Sequence, residues 1–299
     1  MIKSTTIINY LRLLRISNIF TIVPNILVGY FFFTSTNNLD YLDIIQLISI
    51  SGFLYIGGMA SNDYFDLKID KKERPWRPLP SDKISQKNAL LIILLSFSYS
   101  LTFSFIMGPN TFILILVMIS LILLYNKFLK NTIFGAINMG VIRSLNIILG
   151  ASEPILISEK QLYDVQFLIP LFAEFFYIFA ITILSKNETR EYSLNYSNIL
   201  PFIIIYLLIL FIAMFIMFNF LNLLSLFPLL IFLSSIFYSH LILLKRIITV
   251  QKSISYLIMM IVLLDSIFLT NILGVYYGIA LSILLIIPMI FLSRRIYMT

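Results

Sequence analysis

The chain has no cysteine and a single histidine, His240. Disulfides, thiolate catalysis, cysteine-ligated metals and multi-histidine metal sites are therefore excluded. Charge is scarce as well: 12% of the 299 residues are Asp, Glu, Lys or Arg, against about 25% in soluble domains. With 60% hydrophobic residues and a mean hydropathy of +0.99, the composition is that of an integral membrane protein. The N-terminus, MIKSTTIINYLRLLR, lacks a short apolar core followed by a small-residue cleavage site, so no signal peptide is expected. The net charge of +7 does not point to nucleic acid, because the bases sit in short stretches between apolar runs.

What the chain has is apolar length. Windows fall at about 16–34, 43–62, 88–108, 110–127, 132–150, 164–184, 198–218, 222–243, 254–272 and 274–293, each close to the ~20 residues that cross a bilayer. The expectation is one domain over residues 1–299, all-α and transmembrane. It would be a bundle of 9–10 spanning helices around a central cavity, with a cytoplasmic cap loop over residues 71–87. With the N-terminus in the cytoplasm, every Lys and Arg except Arg143 and Lys160 falls on the cytoplasmic side or at its edge. Arg294 and Arg295 then favour an even number of crossings, hence ten. A bacterial or archaeal plasma membrane is the simplest location.

The most informative stretch is Asn62 to Asp82, NDYFDLKIDKKERPWRPLPSD, directly after an apolar run. Asn62, Asp66 and Asp70 are spaced i, i+4, i+8, which on a helix places three oxygen donors within about 80° of arc. Asp63 lies about 100° from Asn62, at the edge of that arc. Hard oxygen donors without His or Cys suit Mg²⁺, which keeps positions open for phosphate. Lys68, Lys71, Lys72, Arg74, Arg77 and Lys83 follow at once, and acids beside bases describe a diphosphate site. The plainer alternative is a solvated charged loop closing a membrane helix. Pro75, Pro78 and Pro80 end helix continuation and leave a loop, with room for a short helix, able to lid the site.

The pattern Asn-Asp-x-x-Asp-x-x-x-Asp at 62–70, followed by Glu-Arg-Pro-x-Arg-Pro-Leu-Pro-Ser, resembles the first aspartate-rich motif of the UbiA superfamily of intramembrane prenyltransferases. The resemblance implies a helical membrane fold and Mg²⁺-assisted ionisation of an isoprenoid diphosphate. The prenyl chain would pass to a small-molecule acceptor, aromatic or lipid-like. It implies that Asn62, Asp66 and Asp70 hold Mg²⁺ with help from Glu188. Tyr125 through Lys130 matches the family's Tyr-x-x-x-x-Lys pattern, so Lys130, with Arg77, Lys127, Lys186 and Arg190, would hold the diphosphate. Residues 15–29, R-I-S-N-x-x-T-x-x-x-N-x-L-x-G, and Leu184-Ser-Lys-x-Glu188 are similar to the EboC-like subfamily.

Polar residues at membrane depth complete the site expected. Arg15, Asn18 and Asn25 in the first window and Asn138, Arg143 and Asn146 in the fifth are read as cavity or acceptor residues, with Tyr125 at the fourth helix end. Arg143 is expensive in lipid and needs a partner. Glu174 and Asp265 are the two acids at that depth, so a structural clamp is the competing reading. The chain departs from the family at residues 185–192. A second set of three aspartates is expected there, and Ser185, Glu188 and Tyr192 stand in its place, beside Lys186 and Arg190. That weakness keeps two alternatives open: a non-catalytic membrane carrier or partner protein on the same fold, and a prenyl-diphosphate cyclase or lyase.

Overall fold

The computed structural model describes residues 2–34, 39–156, 158, 160–186, 196–245 and 248–293. Eleven α-helices follow one another: α1 Ile2–Leu13, α2 Ile22–Phe33, α3 Tyr41–Glu73, α4 Gln86–Met107, α5 Pro109–Leu124, α6 Ile133–Ala151, α7 Val165–Ser185, α8 Tyr196–Met217, α9 Leu226–Leu244, α10 Val250–Leu273 and α11 Val275–Ser293. A 3₁₀ segment, Ile16–Thr21, leads into α2, and a π turn, Tyr125–Leu129, closes α5. Ten helical segments among the described residues, α2 with its leading 3₁₀ segment and α3 to α11, are long and apolar enough to cross a membrane. Ten matches the even count favoured by the lysines and arginines. The chain is thus a multi-pass helical membrane protein.

Lipid offers no hydrophobic drive between helices, so close backbone approach and interhelical hydrogen bonds hold such bundles together. Both are present. The helices α2 and α6 cross with Gly29 against the Ile147 carbonyl and Gly150 against the Ile26 carbonyl, where a β-carbon on either glycine would collide with backbone. Ser100 donates to the Ile50 carbonyl (3.0 Å), Ser144 to that of Leu171 (2.8 Å) and Tyr177 to that of Leu257 (2.8 Å). Buried side chains of α2, α7 and α10 form the centre, with α4, α5 and α11 at the periphery.

Helix α3 sets the site. Its 33 residues span about 50 Å, roughly 20 Å more than the hydrocarbon core. Asp40 starts it, accepting from the Leu42 and Asp43 amides. The sequence reading began the cap loop at residue 71; the helix instead continues to Glu73, and α4 begins at Gln86 after the Ser85 cap. The connecting turns, 74–85, are knit by Arg77 N–H to the Arg74 carbonyl and Ile84 N–H to that of Pro78. Leu79 and Ile84 pack on Leu13 and Ala89, so α1 and the cap form one small apolar unit.

Candidate active site

The acidic face of α3 divides in two. Taking Asn62 as zero, Asp66 lies at about 40°, Asp70 at about 80° and Asp63 at about 100° around the helix. Asn62 and Asp66 converge on the Lys130 ammonium, which donates to Asn62 Oδ1 at 2.9 Å and is ion-paired with Asp66. Asp63 and Asp70 converge on Arg77, whose Nη1 is 2.8 Å from Asp70 Oδ2 and 3.4 Å from Asp63 Oδ1. Arg74 adds a contact to Asp70 Oδ1 at 3.5 Å, and Arg15 one to Asp63 Oδ1 at 3.3 Å. The expectation of one three-donor set is thus modified: the structure brings Asn62 and Asp66 together and groups Asp70 with Asp63. Among the described residues, no three Asp, Glu, His or Cys side chains gather as a metal site. Asn62 and Asp66 nevertheless fit a small hard cation, because their oxygens already close on one positive nitrogen. Burial pushes the Lys130 pKa down, and the Asp66 carboxylate opposes that shift.

Arg15 holds a left-handed backbone, φ 43° and ψ 49°, where α1 gives way to the 3₁₀ segment. Such a conformation costs on the order of 1–3 kcal/mol in a residue other than glycine. Its carbonyl accepts from Tyr55 Oη (3.3 Å) and from the Asn18 amide (2.9 Å), while its guanidinium meets Asp63.

These groups border a cavity of about 310 Å³. Arg15, Arg74, Arg77, Lys130 and Asn62 form its charged part; Ile178, Ile181, Ile254, Ile258, Ile261 and Met118 give an apolar wall. Ser51 and Asn146, joined by a 2.5 Å hydrogen bond, line it eleven residues back along α3, about 16 Å from Asn62. Asn18, Tyr125 and Arg143 also line it. Arg143 donates through Nη2 to the Thr21 carbonyl (2.5 Å), and its Nε lies 3.4 Å from Glu174 Oε2. It is therefore both clamped and on the cavity wall.

Other expected residues lie elsewhere. Asn25 is fully buried and donates to both oxygens of Asp265 (2.8 and 2.7 Å), behind the cavity wall. Asn138 donates to the Leu121 carbonyl at 3.0 Å, tying α6 to α5 instead of facing the cavity. Lys127 is exposed and sits over the Phe128 ring, 5.0 Å from its centre, because the π turn rotates it away from Lys130. Lys186 is exposed and donates to the Thr132 carbonyl at 2.8 Å, though its neighbour Ser185 lines the cavity. Glu188, Arg190 and Tyr192 lie outside the described residues.

Sequence reasoning missed Asn126, which donates to the Gly58 carbonyl (3.1 Å) and to Ser61 Oγ (2.7 Å), fixing the π turn against α3. It also passed over Asp63 as a site residue. The signal for Asp63 was its place two turns before Asp70, about 20° away around the helix.

A bundle of ten candidate membrane helices enclosing a cavity that is cationic at one end and apolar along its wall defines a polytopic membrane protein. The chain belongs to the UbiA prenyltransferase family, whose profile matches residues 22–196. It is 32% identical over 151 residues to a digeranylgeranylglyceryl phosphate synthase of Methanococcoides burtonii, 48% of this chain and 54% of that protein. The chain spans about half the length of the curated relatives it matches. A UbiA homologue of Archaeoglobus fulgidus bound to DMAPP and Mg²⁺ superposes with a TM-score of 0.57 at 16% identity, over 96% of this chain and 99% of that one. A structure from work on digeranylgeranylglyceryl phosphate synthase in membranes gives 0.62 at 20% identity, over 91% and 99%. Likeness at that level establishes the shared fold.

Proposed function

We propose that the chain is a Mg²⁺-dependent intramembrane prenyltransferase that moves a prenyl group from an isoprenoid diphosphate to an aromatic or lipid-like acceptor. The observation that carries this is the single cavity joining a cationic end to an apolar wall, with Asn62 and Asp66 closing on one cation beside it. The relatives bear the name of a synthase of a prenylated glyceryl phosphate, which supports a lipid-like acceptor.

Arg15, Arg74, Arg77 and Lys130 would hold the diphosphate oxygens. Asn62 and Asp66 would hold Mg²⁺, which would supply charge neutralisation at the leaving group, while Asp70, expected from the sequence as a third donor, pairs with Arg77 and Arg74. The prenyl C1–O bond breaks with its electron pair going to the diphosphate. The acceptor nucleophile bonds to C1 and loses its proton. The isoleucine wall seats the tail and excludes water from the allylic cation. Arg143, Asn18 and Asn146 would place the acceptor. Arginine donors pre-set where charge develops are the kind of stabilisation that dominates such reactions. The N-terminus lies in the cytoplasm of a bacterial or archaeal cell, and the motifs at 15–29 and 184–188 ally the chain with the EboC-like subfamily.

The test is diphosphate release from geranyl, farnesyl and geranylgeranyl diphosphates by the full chain in nanodiscs with candidate acceptors. Release that requires Mg²⁺ and falls at least about a hundredfold in Asp66→Ala is expected. The organic product then separates transfer from cyclisation. No release from any donor would refute the enzyme and leave a carrier.

A further inference from the structure

Asp63 stands apart from the donors assigned to the metal. It is turned about 100° from Asn62, its side chain is 1% exposed, and it is engaged by two guanidiniums at once, Arg15 at 3.3 Å and Arg77 at 3.4 Å. Those arginines come from distant parts of the chain. Arg15 lies at the α1 junction and Arg77 in the cap turns, and Asp63 is the group on α3 that both of them touch. Two like charges brought this close repel unless an anion stands between them. Counting Asp70 on Arg77 and Arg74, three guanidiniums face two carboxylates, which leaves a net positive charge beside a cavity that all three arginines line. A lone arginine needs no such mediator. The strained backbone of Arg15 adds to this: the left-handed turn is held by Tyr55 behind and Asp63 in front, as expected where strain is kept for a functional geometry.

We propose that Asp63 is a positioning residue that draws Arg15 and Arg77 together into a paired guanidinium clamp for the diphosphate and, in doing so, ties the N-terminal helix and the cap to α3. Two guanidiniums sharing one carboxylate oxygen can both reach the non-bridging oxygens of one phosphate group, which guanidinium recognises in bidentate fashion. The proposal rests on the prenyl-diphosphate reading above. It assigns Arg15 to the donor's head group and takes it away from the acceptor.

The test uses the full chain in nanodiscs with Mg²⁺ and farnesyl or geranylgeranyl thiolodiphosphate, analogues that do not ionise, and no acceptor. Affinity is measured calorimetrically for the native protein, Asp63→Asn, Arg15→Gln and the double variant. Each single change is expected to weaken binding about tenfold, the loss of a charge-assisted contact. The double variant should be hardly weaker than either single one. The KM for the prenyl diphosphate should rise in parallel while the acceptor KM stays. Mn²⁺ binding, followed by electron paramagnetic resonance, should survive in Asp63→Asn and be lost in Asp66→Asn. Native affinity in Asp63→Asn, losses that multiply to about a hundredfold in the double variant, or loss of Mn²⁺ in Asp63→Asn each overturn the proposal. Should Asp63→Asn not fold, Arg15→Gln decides alone, with native affinity for the analogue counting against. A native protein that binds neither analogue overturns the diphosphate reading itself, and this proposal with it.

Discussion

At the scale of single residues, the polar cluster under the cavity gives a clean distinction between packing and chemistry. Arg143 reaches Glu174 and the Thr21 carbonyl, and Asn25 holds Asp265. Removing one partner of a buried pair leaves an uncompensated charge, at about 3–5 kcal/mol. Arg143→Ala should therefore lower the yield of folded protein sharply, and Glu174→Gln in the same chain should restore much of it. Activity should not return with the fold, because the cavity has lost its guanidinium. If neither Glu174→Gln nor Asp265→Asn recovers the yield, the pairing is not what the arginine is for.

Among the helices, the cap and α1 share one small apolar cluster, Leu13, Leu79, Ile84 and Ala89. Shortening Leu79, 1% exposed, to Ala should cost about 2–5 kcal/mol of local packing. Limited trypsin digestion, read by mass spectrometry, should then cut faster after Lys83 than in the native chain, since Arg74 and Arg77 are each followed by a proline that blocks trypsin; an unchanged rate would mean that the arginine contacts alone hold the cap. Much of this scale was legible in the sequence. Apolar length located the spans, and the i, i+4, i+8 spacing located the acidic helix face. What spacing could not reveal is how that face is shared. The 40° between Asn62 and Asp66 and the 20° between Asp63 and Asp70 look alike in one dimension, and only the positions of Lys130 and Arg77 separate them into two pairs. Lys127 sits away from Lys130 for a related reason: a π turn shifts the register of every side chain in it. Asn25 and Asn138 are as polar as Asn18 and Asn146, and their burial depends on neighbours far away in the sequence.

For the whole molecule, ten crossings put both ends of the chain on one side. The absence of cysteine makes this easy to check. Single cysteines at positions 3 and 299 should react with a membrane-impermeant maleimide from the same face, and one at position 160 from the other. Labelling of 3 and 299 from opposite faces would require an odd number of spans. Chelation of divalent metal should stop diphosphate release without unfolding the bundle, since the acids at the site already have Lys130, Arg77, Arg74 and Arg15 as counter-ions.

The excess length of α3 has a consequence for transport between phases. Because its acidic end stands beyond the oily slab while Ser51 lies about 16 Å back inside, a two-part substrate can be held with each half in the medium it prefers. The head group never has to be stripped of water by crossing hydrocarbon, and the tail never has to leave it. In the proposed reaction, the diphosphate would leave to the aqueous compartment and the prenylated product would stay in the membrane.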